Sequence, residues 1–259
     1  LLNNETELIA YWKLDGNSLD SGQNSYDLNT IGTEVYNNDG VVGEKAPSFS
    51  SSFSFQSPDP AILSPVTNKV SIMFWVKLNS KSNFDSFLSK SGDINSDQSI
   101  RIGLDNSVNQ KVRFRIRLSD GSSSVITSIT PAPVEEWIHI AAIYDGLSQK
   151  LYINGVLNSE VGQSLNIAQF TGADNLLEIG SQSTNTSFNL DGSLNDISIW
   201  SRGLTLNEIL KVYSSGNENS NELSPTWTPN WDNIVGYWKM DGNWQDSTVN
   251  NNHGTPINS

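Results

Sequence analysis

Cysteine is absent from the 259 residues, so the fold does not depend on disulfides, and thiol pairing says nothing about redox compartment. Positive charge is scarce: 15 Lys and Arg stand against 28 Asp and Glu, a formal net charge of −13. Phosphate backbones need a basic surface, so nucleic acid is excluded as a partner and an anionic membrane face is disfavoured. No run approaches the roughly 20 apolar residues that cross a bilayer as a helix, so no membrane insertion is expected. Leu1 opens no basic-then-apolar signal peptide and the chain has no initiator Met, so its start reads as an internal or processed end. Histidine occurs only twice, at His139 and His253, and no Gly-x-Ser-x-Gly elbow is present. Without a thiol or a serine elbow, the common nucleophile–base pairs have no candidate.

What the chain does contain is Asn, Ser, Gly and Thr in quantity, with only 17% charged residues. That mix suits short strands joined by polar turns, and it is common in exported bacterial proteins. Alternation of period two dominates. Lys111–Leu118 places Val112, Phe114, Ile116 and Leu118 on one face, and Ser99–Leu104 does the same with Ile100, Ile102 and Leu104. The polar residues 105–110 between them predict a hairpin. Further strands are expected at Glu7–Leu14, Ser48–Phe55, Lys69–Leu78, Phe84–Lys90, Ser123–Ile129, Trp137–Tyr144, Lys150–Asn154, Val156–Val161, Leu176–Gly180 and Leu194–Trp200. Asn154-Gly155 is a strong hairpin signal. Thr205-Leu-Asn-Glu208 is a capping box, and Leu206, Ile209, Leu210 and Tyr213 follow at helical spacing before Gly216. Many short strands with one short helix near the end predict a two-sheet sandwich. Residues 217–233, rich in Asn, Glu, Ser and Pro, read as a linker.

The chain also repeats itself. Ile234–Thr248 matches Leu8–Gly22 at a constant offset, 238 − 12 = 226 for the two tryptophans. Eight of the fifteen positions are identical, where chance would give about one. The expected organisation is a domain over 1–216, a linker over 217–233, and over 234–259 the opening strand and loop of a second, incomplete repeat. That strand would be completed by a further domain, a neighbouring subunit or a partner.

Five segments, in order, resemble the laminin-G-like members of the concanavalin A-like lectin/glucanase superfamily. They are Tyr11–Gly16 with Asp20-Ser-Gly22, Val70–Val76, Glu136–Asp145, Leu151–Gly155, and Gly192–Ile199 with Thr205–Tyr213. The resemblance covers Leu8 to Tyr213. It implies an all-β fold, a two-sheet antiparallel jelly-roll sandwich with first and last strands side by side. It also implies a structural Ca²⁺ at the rim, with Asp20 as carboxylate ligand helped by carbonyls in 22–24. The closing-strand ligand falls on Asn195, where the family usually has Asp, and Asp196 and Asp191 are near enough in sequence to substitute. A hard cation takes such oxygens at about 2.4 Å; the same carboxylates also serve turns by capping backbone amides.

Four of the five arginines, Arg101, Arg113, Arg115 and Arg117, lie on the 99–118 hairpin, opposite its apolar face. Guanidinium forks match carboxylated or sulfated glycans; the plainer reading is a solvated face paired with neighbouring Asp and Glu. Trp227 and Trp231 stack on sugars or staple the linker, and Trp12, Trp75, Trp137 and Trp200 belong to the core. His139, in a strand of apolar neighbours, reads as structural. Glucanases of this superfamily carry clustered carboxylates at i, i+2, i+4 on one strand, about 5–9 Å apart. No such run exists, and the adjacent Glu135 and Glu136 point to opposite faces. The resemblance, with that carboxylate run missing, implies a non-catalytic binding module of a multidomain secreted or cell-surface bacterial protein, engaged in adhesion or recognition of a glycan or cell-surface protein. The alternatives are a spacer or assembly domain without a ligand, or an ancillary domain of a polysaccharide-degrading enzyme.

Overall fold

The computed structural model describes residues 7–215 apart from 58, 60–61, 64–67, 92–97, 169–175 and 183–187. The chain divides into two compact units, Leu1–Asn219 and Ser220–Ser259, and the described residues all belong to the first. The expected linker at 217–233, the repeated strand from 234, Gly216, Trp227, Trp231 and His253 lie outside the described residues.

In chain order the strands begin with β1 (Leu8–Trp12), β2 (Asn29–Gly32), β3 (Tyr36–Asn37), β4 (Ala46–Phe49) and β5 (Phe53–Gln56). The middle of the domain is β6 (Val70–Leu78), β7 (Ser86–Ser91), β8 (Gln98–Leu104), β9 (Lys111–Arg117) and β10 (Ser123–Pro131). Then follow β11 (Trp137–Tyr144), β12 (Ser148–Ile153), β13 (Val156–Gly162), β14 (Leu177–Ile179), β15 (Gly192–Trp200) and the helix α1 (Leu206–Ser215). One antiparallel sheet has the order β13-β12-β11-β6-β15-β4-β3, with β1 also on β15; the other runs β10-β9-β8-β7-β14-β5-β2. This is the expected two-sheet sandwich with one helix, and its first and last strands are neighbours: Tyr11 pairs with Ser198 and Trp12 with Ile197.

The inner faces follow the alternation read from the sequence. Val112, Phe114 and Ile116 of β9 and Ile100, Ile102 and Leu104 of β8 share one buried cluster with Ile72, Phe74 and Val76 of β6 and Ile138, Ile140 and Ala142 of β11. Each such side chain contributes about 1.5–3 kcal/mol on leaving water. Strands β6 and β15 do not alternate at all, being buried on both faces over nearly their whole length. Helix α1 supplies the reason. Its Ile209 and Val212, with Leu204, cover Met73, Ala141, Ile143 and Trp200 on the sheet's outer side. The capping box forms as expected: Glu208 Oε2 accepts from Thr205 N at 2.8 Å, and Glu208 N donates to Thr205 Oγ1 at 3.4 Å.

Three expectations are corrected. The single strand at Ser48–Phe55 is two, β4 and β5, which lie in different sheets across a turn closed by Phe53 N donating to Ser50 O at 3.2 Å. Strands β2 and β3 carry little apolar alternation, and β2 is exposed throughout, so periodicity gave no sign of either. Trp137 is half-buried rather than core: its Nε1 donates to Asp39 O at 3.1 Å and Lys77 lies over its ring. Trp12, Trp75 and Trp200 are buried as expected.

His139 is a core residue. Its ring meets Trp75 edge-on at 5.2 Å and Tyr213 of α1 at 5.7 Å, and neither ring nitrogen has a hydrogen-bond partner. Burial pushes its pKa down from 6.5 to about 3. The folded value lies below the unfolded one, so protons favour the unfolded chain. This stabilisation should be complete above pH 6.5 and fall as the pH drops toward 3, by up to ~1.4 kcal/mol per pH unit. Urea unfolding between pH 7 and 4 should show that slope and lose it in His139→Leu; equal slopes in both proteins would refute the assignment.

Candidate functional site

At the rim where β1 closes on β15, every polar side chain named in the sequence is engaged with the protein itself. Asp20 caps its loop: Oδ1 accepts from Tyr11 N at 2.9 Å and Gly22 N at 2.8 Å, and Oδ2 accepts from Tyr26 N at 2.9 Å. Asn195, fully buried, spends both ends of its amide. Its Oδ1 accepts from Val41 N at 3.0 Å and Val42 N at 2.7 Å, and its Nδ2 donates to Lys13 O at 2.9 Å and Lys45 O at 3.2 Å. Asp196 takes a left-handed φ of 55°, at the irregularity where the β15–β6 register shifts between Asn195 and Ser198. There its Oδ1 accepts the Tyr11 hydroxyl at 2.5 Å. Burial raises the Asp196 pKa, while the Tyr11 hydrogen bond and Lys13 oppose the rise. Asp191 accepts from Asn79 Nδ2 at 3.2 Å and Ser80 Oγ at 2.5 Å.

A calcium shell needs oxygen lone pairs turned to one point. Asp20 instead turns its own toward three backbone amides, and Asn195 turns its toward two. Among the described residues no group of three or more His, Cys, Asp and Glu is placed to hold a metal ion. As arranged, Asp20, Asn195 and Asp196 fit the turn-capping role and do not fit a shared calcium shell.

The arginine hairpin gives a more open surface. Alternation on β9 turns Arg113, Arg115 and Arg117 outward, half-exposed, from the seven-stranded sheet. Cross-strand register aligns one row over that face: Gln56, Glu178, Ser89, Arg101, Arg115 and Val125. At its acidic end Glu178 accepts from Gln56 Nε2 at 3.1 Å and Ser181 Oγ at 2.9 Å, while burial lifts its pKa.

At the basic end Arg101 is 6% exposed, so it is not part of a solvated stripe. Its guanidinium packs beside the rings of Phe84 and Phe188, 5.5 and 5.3 Å from their centroids, the two rings meeting each other edge to face at 5.6 Å, and Arg113 lies 5.7 Å from Phe84. The Nη2 of Arg101 donates to Phe84 O, whereas its buried Nε has no partner. Burial, then the like charges of Arg113 and Arg115, lowers the Arg101 pKa to about 10, with Asp85 opposing. Asp85, pushed up to about 6 chiefly by burial, accepts from Ser82 N at 2.6 Å and shapes the turn that presents Phe84. Phe84 itself holds a left-handed φ of 62°, a costly conformation for a bulky side chain that its surroundings must impose.

The sequence identified the arginines but missed the two phenylalanines. Phe84 was assigned to the start of a strand, and Phe188 stands alone in a polar stretch, which is the one signal that marks it. Arg101 was expected on the open face; the clasp of Phe84 and Phe188 withdraws it. Among the described residues neither Arg101 nor Arg113 makes an ion pair, so carboxylate pairing is not what holds this end of the face.

A family model described as the concanavalin A-like lectin/glucanases superfamily, of the laminin G type, matches residues 49–210. Pappalysin-1 of Mus musculus and of Homo sapiens each share 28% identity over 123 residues, 46% of this chain. The chain spans only 8% and 7% of those two proteins' lengths. Domain 4 of AbnA, a GH43 extracellular arabinanase from Geobacillus stearothermophilus solved with arabinotriose, superposes with a TM-score of 0.63 at 21% identity, covering 80% of this chain and 98% of that one. The binding domain of Paraclostridial Mosquitocidal Protein 1 gives 0.61 at 15% identity, over 81% of this chain and 52% of that one. The binding domain of botulinum neurotoxin serotype G gives 0.59 at 17%, over 82% and 51%. At such identities these structures show a shared fold.

Asn195→Asp separates the two readings of the rim. It replaces an amide donor by an acceptor facing the carbonyls of Lys13 and Lys45, so it should cost roughly 2–3 kcal/mol in chemical denaturation. Melts of the wild type in calcium and in chelator should coincide; a rise of several degrees with calcium, larger in Asn195→Asp, would restore the metal.

Proposed function

We propose, since the chain belongs to the concanavalin A-like lectin/glucanases superfamily, that it is a non-catalytic binding module whose seven-stranded sheet receives an oligosaccharide on its outer face. The observation that carries this reading is the cluster in which the Arg101 guanidinium packs against the touching rings of Phe84 and Phe188, with Arg113 and Arg115 beside it. Half-buried aromatic rings suit the apolar face of a sugar, and guanidinium forks suit its carboxylate, sulfate or paired hydroxyls. The face is a local concentration of positive charge on a chain of net charge −13. Acidic sugars are therefore drawn to it and away from the rest of the surface.

The relatives agree with this reading. The arabinanase domain was solved with arabinotriose, and the two toxin domains are described as binding domains. Catalysis finds no support in the geometry. His139 is buried without a carboxylate partner, and Glu178 is bonded to neutral side chains alone. The arabinanase relative is extracellular, and among the described residues no helix is long and apolar enough to cross a membrane. A secreted or cell-surface protein is the setting that fits.

A glycan array tests the proposal. Wild type should retain acidic glycans, and Arg113→Ala/Arg115→Ala/Arg117→Ala should weaken them at least tenfold, about 1.4 kcal/mol. Phe84→Ala should weaken acidic and neutral glycans alike. Binding indifferent to the arginines would exclude acidic sugars, and a wild type that binds no glycan would leave a spacer domain.

A further inference from the structure

Residues 234–248 repeat Leu8–Gly22 with eight identities, and the structure shows what those eight residues do in the first copy. Tyr11 donates its amide to Asp20 and its hydroxyl to Asp196. Trp12 is fully buried, with Nε1 donating to Tyr26 O at 2.7 Å. The Lys13 carbonyl receives both Asn195 Nδ2 and Asp196 N. Asp15 Oδ1 accepts from Glu44 N at 3.0 Å and Lys45 N at 2.8 Å. Gly16 sits at φ 83°, a conformation that favours glycine. Asn17 accepts from Leu19 N, Asp20 gathers three backbone amides, and Ser21 N donates to Tyr11 O.

Tyr237, Trp238, Lys239, Asp241, Gly242, Asn243, Asp246 and Ser247 stand at the same eight places of the repeat. At the other buried positions of the strand, Leu8, Ala10 and Leu14 become Ile234, Gly236 and Met240, so no charged or polar side chain takes a buried place. Four of the identities, Tyr11, Trp12, Asp15 and Asp20, therefore fall on side chains that fasten β1 and its loop to the closing strand and to the segments around 26 and 44. A segment under no demand to make those ties would not retain them together. A β1 strand also has no local partner. Its ladder is to β15, with Tyr11 opposite Ser198, and an unpaired strand of this pattern leaves both backbone and apolar side chains unsatisfied.

We propose that residues 234–248 are the β1–loop unit of a second sandwich, made to close on the β15-type edge of another copy of this fold, so that the protein presents the same binding module in series. The partner is fixed by chemistry. It needs an antiparallel edge carrying an Asn-Asp pair at the positions of Asn195 and Asp196, to take up a tyrosine hydroxyl and the carbonyl two residues later. The inference is independent of the glycan proposal, because it rests on the closure of the fold and not on the seven-stranded sheet.

Exchange of sequence within the full chain tests it. Replacing Leu8–Gly22 by the sequence of 234–248 changes seven residues, and the chimera should still melt in one cooperative transition within about 10 °C of the parent. A control with the same fifteen residues in shuffled order should lose that transition. A narrower chimera, with only 8–14 replaced by 234–240, removes the risk carried by the bulky Trp244 in the loop. If both chimeras behave like the shuffled control, the segment is not a β1 and the proposal falls. In the unexchanged chain, Tyr237→Ala/Trp238→Ala should leave the melt of the first unit unchanged, whereas Tyr11→Ala/Trp12→Ala should abolish it. Equal damage from both pairs would assign the segment to the first unit and overturn the proposal.

Discussion

Closure of the first strand on the last is the constraint on which the rest of this domain depends. The strands are separated by nearly the whole domain, and a ladder of four paired residues joins them. Backbone pairing alone would leave that join at the mercy of chain entropy. Asn195 reinforces it by tying four backbone groups from two separate segments with one buried amide. Such a side chain has no apolar substitute, because leaving any of the four groups unpaired in a dry interior costs more than a hydrogen bond gains. Asp20 does the same work on the other side of β1, and Asp196 anchors it through the Tyr11 hydroxyl.

This rim explains why the family's metal positions read so naturally as structural here. Where a carboxylate would have gathered a cation, an amide gathers two N–H donors and two carbonyls. An amide can do both because it carries a donor and an acceptor; a carboxylate carries acceptors only. The departure at position 195 thus exchanges one means of fastening the closing strand for another.

With the edges fastened, the two faces of the sandwich are free to differ. The outer side of the eight-stranded sheet is closed by α1, which converts β6, β11 and β15 into strands buried on both faces. The outer side of the seven-stranded sheet keeps a polar row instead. Among the described residues Arg101 and Arg113 make no ion pair there, and the rings of Phe84 and Phe188 accept their charge through their faces.

Much of this was legible in the residues. The 99–118 hairpin, the Asn154-Gly155 turn and the capped helix follow from local chemistry: period-two alternation, left-handed turn residues, and a side chain that caps an amide three residues on; the neighbouring end strands were implied by the family resemblance. The split between Ser50 and Phe53 was not, because a run of alternating phenylalanines looks the same whether it continues in one sheet or turns into another. Nor was the withdrawal of Arg101. Alternation tells which face a side chain takes, but Phe84 and Phe188 reach that face from segments about 100 residues apart, and no local pattern records their meeting. The sequence by itself determined the alternating strands and their inward faces, since these depend on neighbours along the chain. Only the tertiary structure decided that Asp20 and Asn195 fasten backbone and that one arginine of four is clasped, because those roles depend on which distant groups arrive to share the available donors and acceptors.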